Sequence, residues 1–370
     1  MKRVGGASPW LALFTLGVLA VGWKFVRRTD VLSRPRFDGP PGTNTARLVE
    51  EVEVGCGDDD TRRNATEQWN DRPHVSLVIA VPSVRPDRRE AIRDTWLKWG
   101  DDRVALHFFT EPPNEAFHEN HQEIAAQLEE ESLTYGDITV LDIGTGMNFG
   151  VKLLEAMRWM SDHYSFDFFL RLDDDYFLCL ERLLDELSCL LESDTQQPPF
   201  YAGSFLEPVP FADEAYMLLS SVVVERIVAA CNLYCTGFGT LTAAYWMRIG
   251  GVGNPQGDVA WVEDTRLEWF GRWWELNPDI PVCEQMMGVH KTYPAKIREQ
   301  WELHSSKMNA SQSTADGCED AFRYEDSGVR PPSGSENEEL LLKRIGRDDL
   351  QPCHSYKPRS SKMWCGSEGC

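Results

Sequence analysis

Between His74 and Leu191 the chain alternates short apolar runs with amphipathic stretches, and this alternation restricts its fold more than any other feature. His74–Val81, bounded by Pro73 and Pro82, reads as a buried strand. Asp87 with Glu90 three residues on makes a capping-box pattern, after which Ile92, Trp96 and Trp99 share a helical face. Val104–Thr110 predicts a second strand and Glu115–Glu131 a long acidic helix. Further strands are expected over Asp137–Ile143 and Phe166–Leu172, with a helix over Val151–His163 between them. Leu180, Leu183, Leu184, Leu187, Leu190 and Leu191 then line one face of another helix. This spacing predicts an α/β fold, a mainly parallel central sheet with helices on both faces. Ligands of such sheets bind beyond the carboxyl ends of the strands.

Asp173-Asp174-Asp175 stands at one of those ends, directly after Phe166–Leu172. Like charges this close raise one another's pKa, and a divalent cation relieves the repulsion. Carboxylate oxygens suit Mg²⁺ or Mn²⁺, ions that keep positions open for substrate phosphates. The competing reading is a solvated turn that caps the Leu180 helix. Glu263-Asp264 is a second acidic pair, either a general base or an exposed helix start continued by Leu267 and Phe270. His290 follows the apolar Val289 and can add an imidazole ligand, although a lone His is more often a surface or satisfied core residue. Trp261, Trp269, Trp273 and Trp274 can stack on sugar rings or fill a core.

Composition bears on partners and compartment. With 59 acidic and 37 basic residues the formal charge is −22, which disfavours nucleic acid as a partner. Ten cysteines without CxxC spacing argue against a zinc ribbon or thioredoxin-like site, and their even number suits an oxidising compartment. Lys2, Arg3, Lys24, Arg27 and Arg28 flank an apolar stretch from Pro9 to Trp23 that approaches a membrane span. Ala20-Val21-Gly22 offers a signal-peptide site, but the flanking Trp10 and Trp23 favour an uncleaved anchor. The expected organisation is an anchor (1–28), a Pro/Gly/Asp-rich stem (29–72), a catalytic body (73–309) and a polar tail (310–370). Asn64 and Asn309 head glycosylation sequons. A short helix is expected at Glu338–Ile345, and Cys353, Cys365 and Cys370 can staple the tail to the body.

Taken in order, the motifs resemble the inverting β-1,3-glycosyltransferases of glycosyltransferase family 31. Arg88-Arg89-Glu90-Ala91-Ile92-Arg93-Asp94-Thr95-Trp96 is similar to the family's RRxAIRxTW signature, and Phe169 to Phe177 to its strand followed by three Asp. Tyr234-Cys235-Thr236-Gly237-Phe238-Gly239 resembles its YCSGxGY segment, Glu263-Asp264 its ED pair and His290-Lys291 its late HK. The family's DxYxNLTxK segment survives only in Asn148 and Lys152, and Phe238 and Thr240 replace a small residue and a Tyr.

The resemblance implies a GT-A (Rossmann-like) fold, type II topology in the Golgi or endoplasmic-reticulum membrane, a UDP-sugar donor and Mn²⁺ or Mg²⁺. It places Asp173 and Asp174 on the donor's ribose and sugar side, with Asp175 and His290 as metal ligands and Asp264 as base. Arg89, Arg93 and Lys152 would lie near the donor, although Arg93 equally suits a structural ion pair. The short Trp-rich stretch before His290 is most similar to the galactosyltransferase of the glycosaminoglycan linker. That implies UDP-galactose as donor and a glycan or glycoprotein acceptor. Transfer of N-acetylglucosamine, and a catalytically weak sugar-binding relative, are the alternatives.

Overall fold

Along the chain run the strands β1 (His74–Pro82), β2 (Val104–Thr110), β3 (Ile138–Val140), β4 (Ser165–Leu172), β5 (Phe177–Leu178), β6 (Phe200–Gly203), β7 (Tyr216–Ser220), β8 (Tyr234–Cys235), β9 (Ala260–Glu263), β10 (Leu267–Glu268), β11 (Gly288–Val289) and β12 (Gln351–Pro352). The helices are α1 (Pro86–Asp94), α2 (His121–Tyr135), α3 (Phe149–His163), α4 (Leu180–Glu192), α5 (Ser221–Ala229), α6 (Gly239–Arg248), α7 (Val282–Gln285), α8 (Pro294–Met308) and α9 (Ser335–Ile345). This computed structural model describes residues 72–113, 120–144, 146–192, 198–206, 211–249, 252, 259–268, 273, 277, 280–308, 335–346 and 349–357. The expected anchor, the stem up to residue 71, both sequons, Trp269, Trp274, Cys365 and Cys370 lie outside the described residues. Among the described residues no helix is long and apolar enough to cross a membrane.

The central sheet has the order β3-β2-β1-β4-β7-β6-β9. β3, β2, β1 and β4 are mutually parallel, β7 runs antiparallel to β4 and β6, and β6 pairs parallel with β9. The α/β fold with a mainly parallel sheet is therefore as expected. β1 and the second half of β4 are buried on both faces, which is why both read as mainly apolar runs, broken in β4 by Arg171. One face packs Leu77, Ile79, Leu170 and Leu172 against Ile92, Trp96 and the α4 leucines. The other packs Val78, Phe169 and Leu219 against Leu153, Met157, Val224 and Trp246. Leu191 departs from the expected α4 stripe and is 49% exposed.

Several boundaries differ from expectation for local reasons. Pro86, with its fixed φ, takes the first turn of α1, so Arg85 is the cap and Asp87 bonds Arg85 instead. α2 begins at His121 and ends where Gly136 turns left-handed at φ +68°, its N–H donating to Ser132 O. Asp137 precedes β3 and spends its carboxylate on Arg93.

Where the tail is described, it is joined to the body. β12 pairs with β8, Cys235 is bonded to Cys353, and Leu341 and Ile345 of α9 are buried. A second bond, Cys179–Cys283, joins the residue after β5 to α7 across a separation of 104 residues. Closing a loop of that length removes about 4–5 kcal/mol of chain entropy from the unfolded state.

A half-buried ion network ties α1 to α2 and to Asp137 before β3. Glu131 accepts bonds from Arg89 and Arg93, and Arg93 forks onto Asp137 at 2.7 and 2.8 Å. Burial pushes the Glu131 carboxyl up, but the bonds and charges of the two arginines outweigh it and hold it below its ordinary 4.5. The folded value being the lower one, the stabilisation is complete above pH 4.5 and is lost as the pH falls through the folded value. Glu131→Gln should cost about 2 kcal/mol at pH 7 by leaving the buried Arg89 guanidinium without its charge partner, while Arg93 keeps Asp137. Urea unfolding at pH 7 and pH 3 should show that difference shrinking in acid; a pH-independent difference contradicts the assignment.

Candidate functional site

The site forms where β4 leaves the central sheet. Asp173 N–H still donates to Ala215 O at 3.0 Å, and the chain then turns into β5. β5 pairs antiparallel with β11, and β11 pairs parallel with β10. This small sheet is the device that gathers distant segments: His290 follows β11 directly, and Asp264 lies just before β10. His290 N–H donates to Glu268 O, and Thr292 N–H to Asp175 O, both at 2.8 Å. Gly288 permits the close pairing, since a Cβ there would sit 2.8 Å from Phe177 O and collide with the Tyr176 ring. The Tyr176 ring in turn stacks on His290, with centroids 6.2 Å apart.

Asp173, Asp175 and His290 converge. His290 Nε2 is 3.1 Å from Asp175 Oδ1 and 3.4 Å from Asp173 Oδ2. One donor atom from each residue can be chosen so that all lie within 4.8 Å of one another. Burial pulls the His290 imidazole down, but both carboxylates outweigh it and push its pKa up to about 10. Two carboxylate oxygens and one imidazole nitrogen suit a divalent cation, and three protein donors leave room for other oxygen ligands. The donor set thus fits the divalent cation that the resemblance implies.

Asp174 faces the other way. It accepts from Ser83 Oγ at 2.8 Å and from Arg88 Nη1 at 2.6 Å, and burial pushes it up to about 6 against the pull of Arg88. Arg88 also lies 3.4 Å from Asp175 Oδ2, and its guanidinium sits over the Tyr293 ring. Arg89 and Arg93, one helical turn apart, share the opposite flank of α1 and are engaged by Glu131 and Asp137. Sequence reasoning named those two and passed over Arg88, because the motif holds all three without saying which flank meets the triplet. Buried Lys152 is ion-paired with Glu111, just past β2, and lies 5.0 Å from the Phe149 ring.

Asp264 does not start a helix. Its Oδ1 accepts from Arg266 N–H at 2.9 Å, an Asx-type turn that leads into β10. Arg266 also donates Nε and Nη2 to Asp264 at 2.9 Å and forks onto Glu186 of α4. The adjoining Glu263 carboxylate accepts from Phe205 N–H at 2.8 Å. The phenols of Tyr176 and Tyr216 are raised well above their ordinary value by burial and then by neighbours that include Asp264. Trp261 and Trp273 are buried in the two cores rather than offered to a ligand.

Comparison with known proteins bears on this arrangement. Residues 87–236 match the galactosyltransferase family model, so the stretch from α1 through the triplet to Thr236 carries that family's pattern. The chain is 25% identical over 274 residues to the UDP-GlcNAc:betaGal beta-1,3-N-acetylglucosaminyltransferase 7 of Rattus norvegicus, covering 64% of this chain and 66% of that one. It is 34% identical over 87 residues to the UDP-GalNAc:beta-1,3-N-acetylgalactosaminyltransferase 2 of Homo sapiens, covering 23% of this chain and 17% of that one. The chain thus spans just under two thirds of the first relative's length and about a sixth of the second's. A solved glycosyltransferase involved in glycosylating the major capsid of PBCV-1 aligns over 62% of this chain at 9% identity and a TM-score of 0.35.

The division of the triplet is testable by metal titration. Asp173→Asn, Asp175→Asn and His290→Ala should each weaken Mn²⁺ binding at least about tenfold by removing a donor. Asp174→Asn should leave it within about threefold, and a loss equal to that of Asp175→Asn contradicts the geometry.

Proposed function

We propose that this chain is a metal-dependent, inverting β-1,3-glycosyltransferase that moves a hexose from a UDP-sugar to a glycan acceptor. The observation that carries this reading is the convergence of Asp173, Asp175 and His290 beyond the carboxyl end of β4. Both aspartates lie inside the stretch that matches the galactosyltransferase family. Asp173, Asp175 and His290 would hold a divalent cation, which would supply charge neutralisation for a departing diphosphate in place of a protein acid.

The chain's own residues supply the rest. Asp264 is the base: Arg266 fixes its carboxylate plane, and it takes the proton of the acceptor hydroxyl. The acceptor oxygen bonds to the anomeric carbon as the bond from that carbon to the UDP oxygen breaks on the opposite face. One in-line displacement inverts the centre. Arg88, fixed beside Asp174 and Asp175, adds a cation on the rim of the site.

UDP-galactose is the proposed donor and a terminal galactoside of a glycan or glycoprotein the proposed acceptor, on the likeness of the stretch before His290 to the linker galactosyltransferase. The relatives favour a second reading, transfer of an N-acetylhexosamine, since their names specify UDP-GlcNAc and UDP-GalNAc. A type II location in the Golgi membrane rests on residues 1–28 as an anchor. It is supported by the disulfide-bonded state of Cys179, Cys189, Cys231, Cys235, Cys283 and Cys353, which suits an oxidising lumen.

The test is UDP release and product formation by the detergent-solubilised chain with Mn²⁺ and a panel of UDP-sugars. UDP-galactose should support transfer, and Asp264→Asn should lower kcat by about 10²–10⁴-fold. Transfer from UDP-N-acetylhexosamines alone selects the second reading. No transfer from any donor contradicts the enzymatic one.

A further inference from the structure

Arg171 lies within the last turn of sheet before the triplet, yet no chemistry has been assigned to it. Its backbone is held on both sides by the sheet, opposite Ala80 of β1 and Met217 of β7. Side-chain alternation places it on the face of β4 that also carries Phe169, and it is 2% exposed. A guanidinium buried so completely must be matched by charge, and two carboxylates meet it. Its Nη2 donates to Asp173 Oδ1 at 2.7 Å and lies 3.5 Å from Glu214 Oε1.

Each contact has a consequence. Asp173 has two oxygens, and the Arg171 bond occupies Oδ1. Oδ2 is the oxygen that faces His290 Nε2, at 3.4 Å. Glu214, for its part, caps the start of α6: it accepts from Gly239 N–H at 2.8 Å, Thr240 N–H at 3.0 Å and Thr240 Oγ1 at 2.9 Å. A carboxylate anchored by three donors does not follow Arg171 if the guanidinium swings. Thr240 stands where the resemblance expects Tyr, and its hydroxyl is one of those three donors.

We propose that Arg171, held by Glu214, is a positioning residue that presents Asp173 to the cation through a single oxygen and so sets the affinity of the Asp173–Asp175–His290 site. The proposal rests on the metal-site reading given above. Arg171 reaches both carboxylates through Nη2, and the rigid plane of its guanidinium fixes the direction of that nitrogen in a way that a freely rotating ammonium does not. A merely structural Arg171 would behave otherwise. Losing it would lower the unfolding temperature, and removing a cation beside the site would leave Mn²⁺ affinity unchanged or tighten it.

The experiment is titration of the full solubilised chain with Mn²⁺ alone, free Mn²⁺ being followed by electron paramagnetic resonance and folding by thermal unfolding of the same samples. Arg171→Met should weaken binding about 10–100-fold, the range seen when partners of metal ligands are removed. Arg171→Lys keeps the charge and serves if the Met variant does not fold; it should bind at least about threefold more weakly than wild type. Wild-type binding with unchanged or tighter affinity in the folded variants overturns the role of Arg171 and leaves the metal site standing. A wild-type chain that takes up no Mn²⁺ overturns the metal site itself, and this proposal with it.

Discussion

Three consecutive carboxylates at the mouth of a buried strand repel one another, and the surrounding structure is organised by the need to offset them. Three cations answer them, two of which are shared: Arg88 also lies against Asp175, and His290 also faces Asp173. Asp173 meets Arg171 from its own strand, Asp174 meets Arg88 from α1, and Asp175 meets His290 from the far end of the small sheet. The pairing splits the triplet by direction. Asp174 is spent within the protein, while Asp173 and Asp175 keep oxygens turned toward a common point. A chain carrying 22 excess negative charges has little diffuse positive field to offer an anionic donor, so charge must be balanced locally. A site that draws in a cation does this with residues that belong to the acidic excess.

The same requirement explains the small sheet. β5, β10 and β11 are two-residue strands and too short to persist alone. They are held by the Cys179–Cys283 bond, by the close approach at Gly288 and by the Arg266 fork between Asp264 and Glu186. Through them the segments that carry the proposed base and the proposed metal ligands are joined in one small sheet. In-line displacement depends on such positioning more than on any single bond.

Much of this was legible in the residues. β1, β2 and β4 stand where apolar runs predicted them, since strands buried on both faces leave an unmistakable record. The pairing of Asp175 with His290 was implied by the family resemblance, not by the residues taken singly. What escaped were matters of direction. The Arg88-Arg89 pair gives no hint of which side chain turns to the triplet, because that depends on how α1 docks. Asp264 looked like a helix start because Asp favours helix N-termini and Asx turns for the same reason, a short carboxylate that reaches nearby N–H groups. Arg171 was hidden inside an apolar run, where a lone charge says nothing of its partners until the fold brings Glu214 near.

The central claim is that Asp173, Asp175 and His290 form one cation site and Asp174 does not belong to it. Anomalous diffraction from crystals grown with Mn²⁺ and UDP tests it most directly. The account predicts one Mn²⁺ peak in contact with Asp173, Asp175 and His290, with the diphosphate on its open side and Asp174 still bonded to Arg88. A peak bound through Asp174, or none near His290, would contradict it.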